Sequence, residues 1–175
     1  MQSPAHFLIG AGICRHVRCR PLGLALACAS HYALDALPHF EDPSILPPWL
    51  AHVAGAHWSF ALAGAQVAVG CLAAFVWRRC LQDRGTALYL VGGGLLACLP
   101  DYLYWVGGLE GVLRELNSWS HQWWNVPYLR LVRSDHGLRP LVAGWCLVIE
   151  ALVCAAGALA LFGSRDRSRP PEPRP

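Results

Sequence analysis

Residues 86–107 read TALYLVGGGLLACLPDYLYWVG, an apolar run in which Asp101 is the only charged side chain. At about 1.5 Å per residue, a helix of this length crosses a hydrocarbon core of roughly 30 Å. Two further runs meet the same test, 58–77 (WSFALAGAQVAVGCLAAFVW) and 138–163 (GLRPLVAGWCLVIEALVCAAGALALFG). A fourth, 22–37, is shorter, and 5–17 is expected to form a short helix beside it. The pattern predicts an all-α fold: a polytopic helical membrane bundle with about four spanning helices and an N-terminal half-helix. Residues 1–163 make one domain, and the Arg- and Pro-rich stretch 164–175 is expected to be a disordered tail.

Composition agrees. Hydrophobic residues make up 55% of the chain and charged residues 14%, where soluble domains carry about a quarter. Mean hydropathy is +0.35. Lys is absent, and a net charge of +3 spread along the chain does not suggest nucleic acid. The eight Cys form no CxxC pair and lie mostly in apolar runs, where a thiol behaves as a small hydrophobe; no disulfide framework is expected. The N-terminal apolar stretch FLIGAGI is short, and its Arg residues follow rather than precede it, so the N-terminus is expected to be retained.

The Arg residues give a sidedness. Ten of the fourteen fall before 22–37, between 77 and 86, or after 163. The positive-inside rule places those segments in the cytoplasm and the loops 38–57 and 108–137 outside, with Trp49, Trp58, Trp105, Trp119, Trp123 and Trp124 as interfacial anchors. The glycines 92–94 lack the Lys-Ser/Thr of a phosphate loop and are expected to permit close helix packing.

Within this apolar frame, residues 30–40 read SHYALDALPHF. His31 and Asp35, four apart, share a helix face. Pro38 is expected to end the helix, so that His39 can fold back toward the same spot. An isolated charge in a bilayer costs roughly 3 kcal/mol or more, which a divalent ion offsets by taking carboxylate and neutral imidazole as ligands. Counted from the Arg-rich ends, Asp35 and Asp101 lie at similar depths, roughly 20 and 22 Å. His121 in the later loop, and His6 if residues 7–17 turn at the Arg cluster, would reach the same side. The candidate metal ligands are therefore His6, His31, Asp35, His39, Asp101 and His121, with Asp35, Asp101 and His121 the catalytic candidates and zinc the expected divalent ion. A structural hydrogen-bond network of the same groups is the competing reading, and it would make the protein a non-enzymatic integral membrane scaffold or accessory protein. His52 and His57 read as exposed loop residues, His16 and His136 as surface residues, and Glu150 as a neutral, hydrogen-bonded carboxyl. Ser118 and Ser120 beside His121 lack any nucleophile elbow.

SPAHFLIGAG followed by SHYALDALPHF resembles the small bacterial inner-membrane proteins regarded as metal-dependent hydrolases, a group related in pattern to the zinc-dependent phospholipase C and single-strand nuclease superfamily. The resemblance covers the first 40 residues and isolated motifs beyond them. It implies an all-helical fold, metal ligation by His6, His31, Asp35, His39, Asp101 and His121, and phosphoester hydrolysis; the expected depth of the site separately suggests a lipid or lipid-linked phosphate at the bilayer surface as substrate. The chain departs from the pattern twice: PD-x-D is here PDYLYW, and HRG-xx-HS is here SWSHQWW, so an Asp and a His are missing.

Overall fold

A computed structural model describes residues 3–39, 48–80, 83–105, 111, 114–116, 118–120, 122 and 136–163, with the backbone alone for 48–63, 104, 105, 136 and 139. Helix is the only regular structure among them: α1 (Ser3–His16), α2 (Arg20–Asp35), α3 (Pro48–Arg79), α4 (Arg84–Trp105), a 3₁₀ turn (His136–Leu138) and α5 (Arg139–Phe162). The all-α expectation holds. Two of these helices are long and apolar enough to cross a membrane, Arg84–Leu103 and Pro140–Phe162. The expected span 58–77 falls within α3 but rests partly on side chains outside the described residues, and α2, at about 24 Å, is short for a span. The tail 164–175 also lies outside the described residues.

One expectation is corrected. Residues 48–57, read as part of an outward loop, are the first three turns of α3, so His52 and His57 sit on a helix. The reason is local. Pro48 is the first helical residue, where its missing N–H costs nothing, and Gly55 is the only weak helix former among the nine residues that follow.

The helix ends follow simple rules. α2 starts with Pro21 in its first turn and ends before Pro38, its last turn closed by Ala36 N donating to the Tyr32 carbonyl at 3.2 Å. Asp83 caps α4: its carboxylate accepts from the Thr86 amide at 3.0 Å and from the Thr86 hydroxyl. The orphan carbonyls at the C-terminus of α5 are met by Arg15, which donates to Leu161 and, at 2.7 Å, to Gly163, and by His16 Nε2 at 2.9 Å from the Ala160 carbonyl.

α1 is the packing centre, lying against α4 and α5 and more lightly against α2 and α3. Small residues make this possible. A Cβ on Gly10 would stand 2.6 Å from both Ala97 Cβ and the Gly93 carbonyl; one on Gly94 would stand 2.6 Å from the Phe7 ring, and one on Gly157 2.8 Å from Leu8 Cβ. Of the three adjacent glycines, Gly93 and Gly94 permit contact with α1, whereas Gly92 faces open space. Phe7, Leu8, Ala11 and Cys14 of α1 fill the core with Val69, Val76, Leu90, Cys98 and Leu161.

The Arg-rich ends gather on one side, where the end of α1, the start of α2, the end of α3, the start of α4 and the end of α5 line a common cavity. The chemistry-bearing ends, the start of α1 and the ends of α2 and α4, lie at the other.

Candidate metal centre

The turn at residues 17–19 folds α1 back along α2, so that the fourth residue of α1, His6, returns to the level of the last residue of α2, Asp35. His31 stands one turn before Asp35 on the same face. Asp101 arrives from α4, immediately after Pro100. Three helices thus bring two imidazoles and two carboxylates together.

His6 Nε2 lies 3.1 Å from Asp35 Oδ1 and 3.9 Å from Asp101 Oδ2. His31 Nε2 lies 3.0 Å from Asp35 Oδ2 and 3.7 Å from Asp101 Oδ1. The two imidazole rings are 4.5 Å apart, tilted by 31°. His6, His31 and Asp35 are fully buried, while the Asp101 side chain is 21% exposed. Ligand atoms of His6, His31 and Asp101 all lie within 4.8 Å of one another, so these three could hold a metal ion.

The protonation pattern decides what this arrangement is fit for. His31 Nδ1 is 3.0 Å from the Ala97 carbonyl. A carbonyl only accepts, so Nδ1 carries the proton. In a neutral ring Nε2 then holds the lone pair, and it is Nε2 that faces both carboxylates. A lone pair aimed at two anions needs a cation between them or a second ring proton. The backbone-anchored Nδ1–H is the outer-shell bond that metal-binding histidines commonly make. Donors about 2.1 Å from a tetrahedral ion stand roughly 3.4 Å apart, and the four nitrogen–oxygen separations, 3.0–3.9 Å, bracket that value. The two longer ones exceed hydrogen-bond range. His6 has neither ring nitrogen in a hydrogen bond of good geometry, although it is fully buried. The residues present therefore fit a divalent ion with mixed nitrogen and oxygen ligands.

The other candidates are placed as follows. Asp35 and His39, both expected as ligands, are outside the group formed by His6, His31 and Asp101; Asp35 stands beside both imidazoles, and His39 is fully buried just beyond α2, its Nδ1 2.6 Å from the Leu37 carbonyl. His121 lies outside the described residues. Ser120 is buried and Ser118 exposed, the latter accepting from Gln122 at 3.1 Å. Glu150 is half-buried on α5, and the side chains of His52, His57 and His136 are not among those described.

Some neighbours of the centre were not legible in the sequence. Tyr32 stands edge-on to His31 at 5.2 Å, and its hydroxyl is buried with no hydrogen-bond partner among the described residues. A polar chain runs beside the centre: the Tyr102 hydroxyl donates to Gln66, Gln66 donates to Ser3 Oγ at 3.3 Å, and Cys98 Sγ lies 3.3 Å from the Ser3 carbonyl. Gln66 and Tyr102 share no spacing with the His and Asp residues, so no pattern in the chain announces them. No family model matches the chain, nor does any curated protein or solved structure.

Proposed function

We propose that this protein is an integral membrane, metal-dependent hydrolase acting on a phosphoester of a lipid or lipid-linked substrate, with zinc held by His6, His31 and Asp101. The observation that carries the reading is His31, whose Nδ1 lies 3.0 Å from the Ala97 carbonyl while its Nε2 faces two carboxylates that also face His6. The membrane assignment is supported by the two long apolar helices and by an Arg-rich end opposite the centre. It sets the centre toward the outer face of a bacterial inner membrane, in a bundle whose α2 and α3 complete a four-helix complement around α1.

A divalent ion held there would supply Lewis acidity, polarising a phosphoryl oxygen and acidifying water toward neutral pH. The residues divide the remaining work. Ala97 fixes the tautomer of His31. Asp35, buried beside both Nε2 atoms and not counted among the ligands, takes the proton of the attacking water as the phosphoester P–O bond breaks and returns it to the leaving alcohol. Asp101, the exposed member, would be the third protein ligand, leaving one position of a tetrahedral ion for water. The exposed part of the Asp101 side chain is where a head-group phosphate would approach from the interface.

Full-length protein purified in mild detergent is expected to retain about one equivalent of zinc by elemental mass spectrometry. His31→Ala and Asp101→Asn are each expected to weaken zinc binding at least tenfold while helicity by circular dichroism is kept. Metal-free wild-type protein that melts at the same temperature with and without added zinc would sink the reading. A destabilised His31→Ala variant with unchanged metal content would instead make the cluster a structural lock between helices.

A further inference from the structure

At the Arg-rich end, the helix termini enclose a cavity of about 470 Å³. Four guanidiniums line it, Arg15, Arg18, Arg20 and Arg79, together with Thr86 and Tyr89, and no Asp or Glu is among its described lining residues. The neighbouring carboxylate, Asp83, is exposed, accepts from Thr86 and is also attracted to the Arg20 guanidinium, so Arg20 is partly compensated whereas Asp83 itself does not line the cavity. Arg15 reaches the last carbonyls of α5. Arg20 lies over the Tyr89 ring at 5.7 Å and Arg79 over the Phe75 ring at 5.5 Å. Stacking occupies the face of a guanidinium and keeps its fork of N–H donors in plane, the geometry that meets phosphate oxygens bidentately.

A second, open and largely apolar groove of about 540 Å³ runs along α1, α2 and α5, lined among others by Ile9, Ile13, Leu26 and Ala33, and shares Val17 with the basic cavity. We infer that the basic cavity binds a phosphate group, that of an anionic phospholipid whose acyl chain lies along the adjoining groove. The site is about 14 Å of helix away from the metal centre along α1. It does not depend on the reaction assigned to that centre. A basic pocket between helices at the positively charged membrane face is suited to an anionic head group.

The test uses full-length protein in dodecyl maltoside micelles, titrated with dioleoylphosphatidylglycerol, dioleoylphosphatidylcholine or inorganic phosphate and followed by melting temperature. A saturable rise with phosphatidylglycerol, none with phosphatidylcholine, and a response that falls with added salt are expected. The Arg18→Gln/Arg79→Gln double variant is expected to bind phosphatidylglycerol about thirtyfold more weakly with unchanged metal content. An equal rise with inorganic phosphate keeps the phosphate site and removes the lipid from it. Equal responses to the two lipids, no response to either phosphatidylglycerol or phosphate, or a double variant that binds like wild type overturns the inference. If the double variant does not fold, Arg18→Lys/Arg79→Lys replaces it: charge is kept, bidentate contact is lost, and a several-fold weakening is expected.

Discussion

α1 and α5 pack against each other, yet they present opposite surfaces. α1 has 14 residues, many of them small, and is buried on nearly every side, its Ser3, His6 and Cys14 included. α5 has 24 residues and is the more apolar, yet Leu141, Leu152 and Leu159 are 59%, 64% and 72% exposed. In water the hydrophobic effect would reverse this, burying the leucines of α5. In a bilayer, lipid tails are as apolar as leucine and nothing is gained by hiding it. Polar side chains gain by being inside, because only there do they find partners. The contrast between the two helices therefore supports the membrane reading independently of helix length, and it places the chemistry on the helix that hydropathy ranks lower.

The comparison is broken most severely at Gly10. A methyl there meets backbone and Cβ atoms of α4 at 2.6 Å, contacts that no flexible side chain can relieve. Gly10→Ala is expected to cost up to about 3 kcal/mol by forcing α1 away from α4. His6 and Asp101 lie on those same two helices, 3.9 Å apart, so zinc affinity is expected to fall with stability. Denaturation in mixed micelles and metal titration check both. Wild-type values for the variant would mean that α1 and α4 are not in contact at this level.

A smaller effect separates the cores of the two helices. Phe7→Ala leaves a void of roughly 100 Å³ against Gly94, and at about 24 cal/mol per Å³ this costs about 2 kcal/mol, the cavity part alone, since lipid removes the transfer part. Leu152→Ala on the outer face of α5 is expected to change unfolding free energy by less than about 0.5 kcal/mol in detergent. Equal costs at the two positions would mean that α5 is covered by another protein surface rather than by lipid.

What the chain discloses about itself follows the same division. The long apolar helices were legible because length and hydropathy are local properties. The i, i+4 pair His31 and Asp35 was legible for the same reason, and Asp101 could be set at their depth by counting residues along two helices. His6 was legible as a candidate, but the central position of α1 was not. A helix buried on most sides and apolar on its open side too (Ile9, Ile13) has no polar face, hence no periodic signal, and its 14 residues resemble a fragment of a span. The first turns of α3 were not legible, because the span was counted from Trp58 and the ten residues before it fell to the outward loop. The Ala97 carbonyl that sets the tautomer of His31 leaves no trace in sequence at all, since any residue could supply it.

The mildest change sharpens the comparison from the other side. Gly144 of α5 is exposed, and a Cβ built there meets nothing within 4 Å. Its backbone is ordinary helix, so glycine contributes only its conformational freedom, which opposes folding. Gly144→Ala is thus expected to stabilise the protein by about 0.5–1 kcal/mol, seen as a small rise in melting temperature with unchanged metal content. Gly10 and Gly144 are chemically the same residue in the same secondary structure, one on each of two helices that pack together. The opposite sign expected for an identical substitution isolates what packing adds to propensity. A destabilised Gly144→Ala variant would show that the outer face of α5 meets a close neighbour, and the lipid-facing role assigned to that helix would pass to a protein contact.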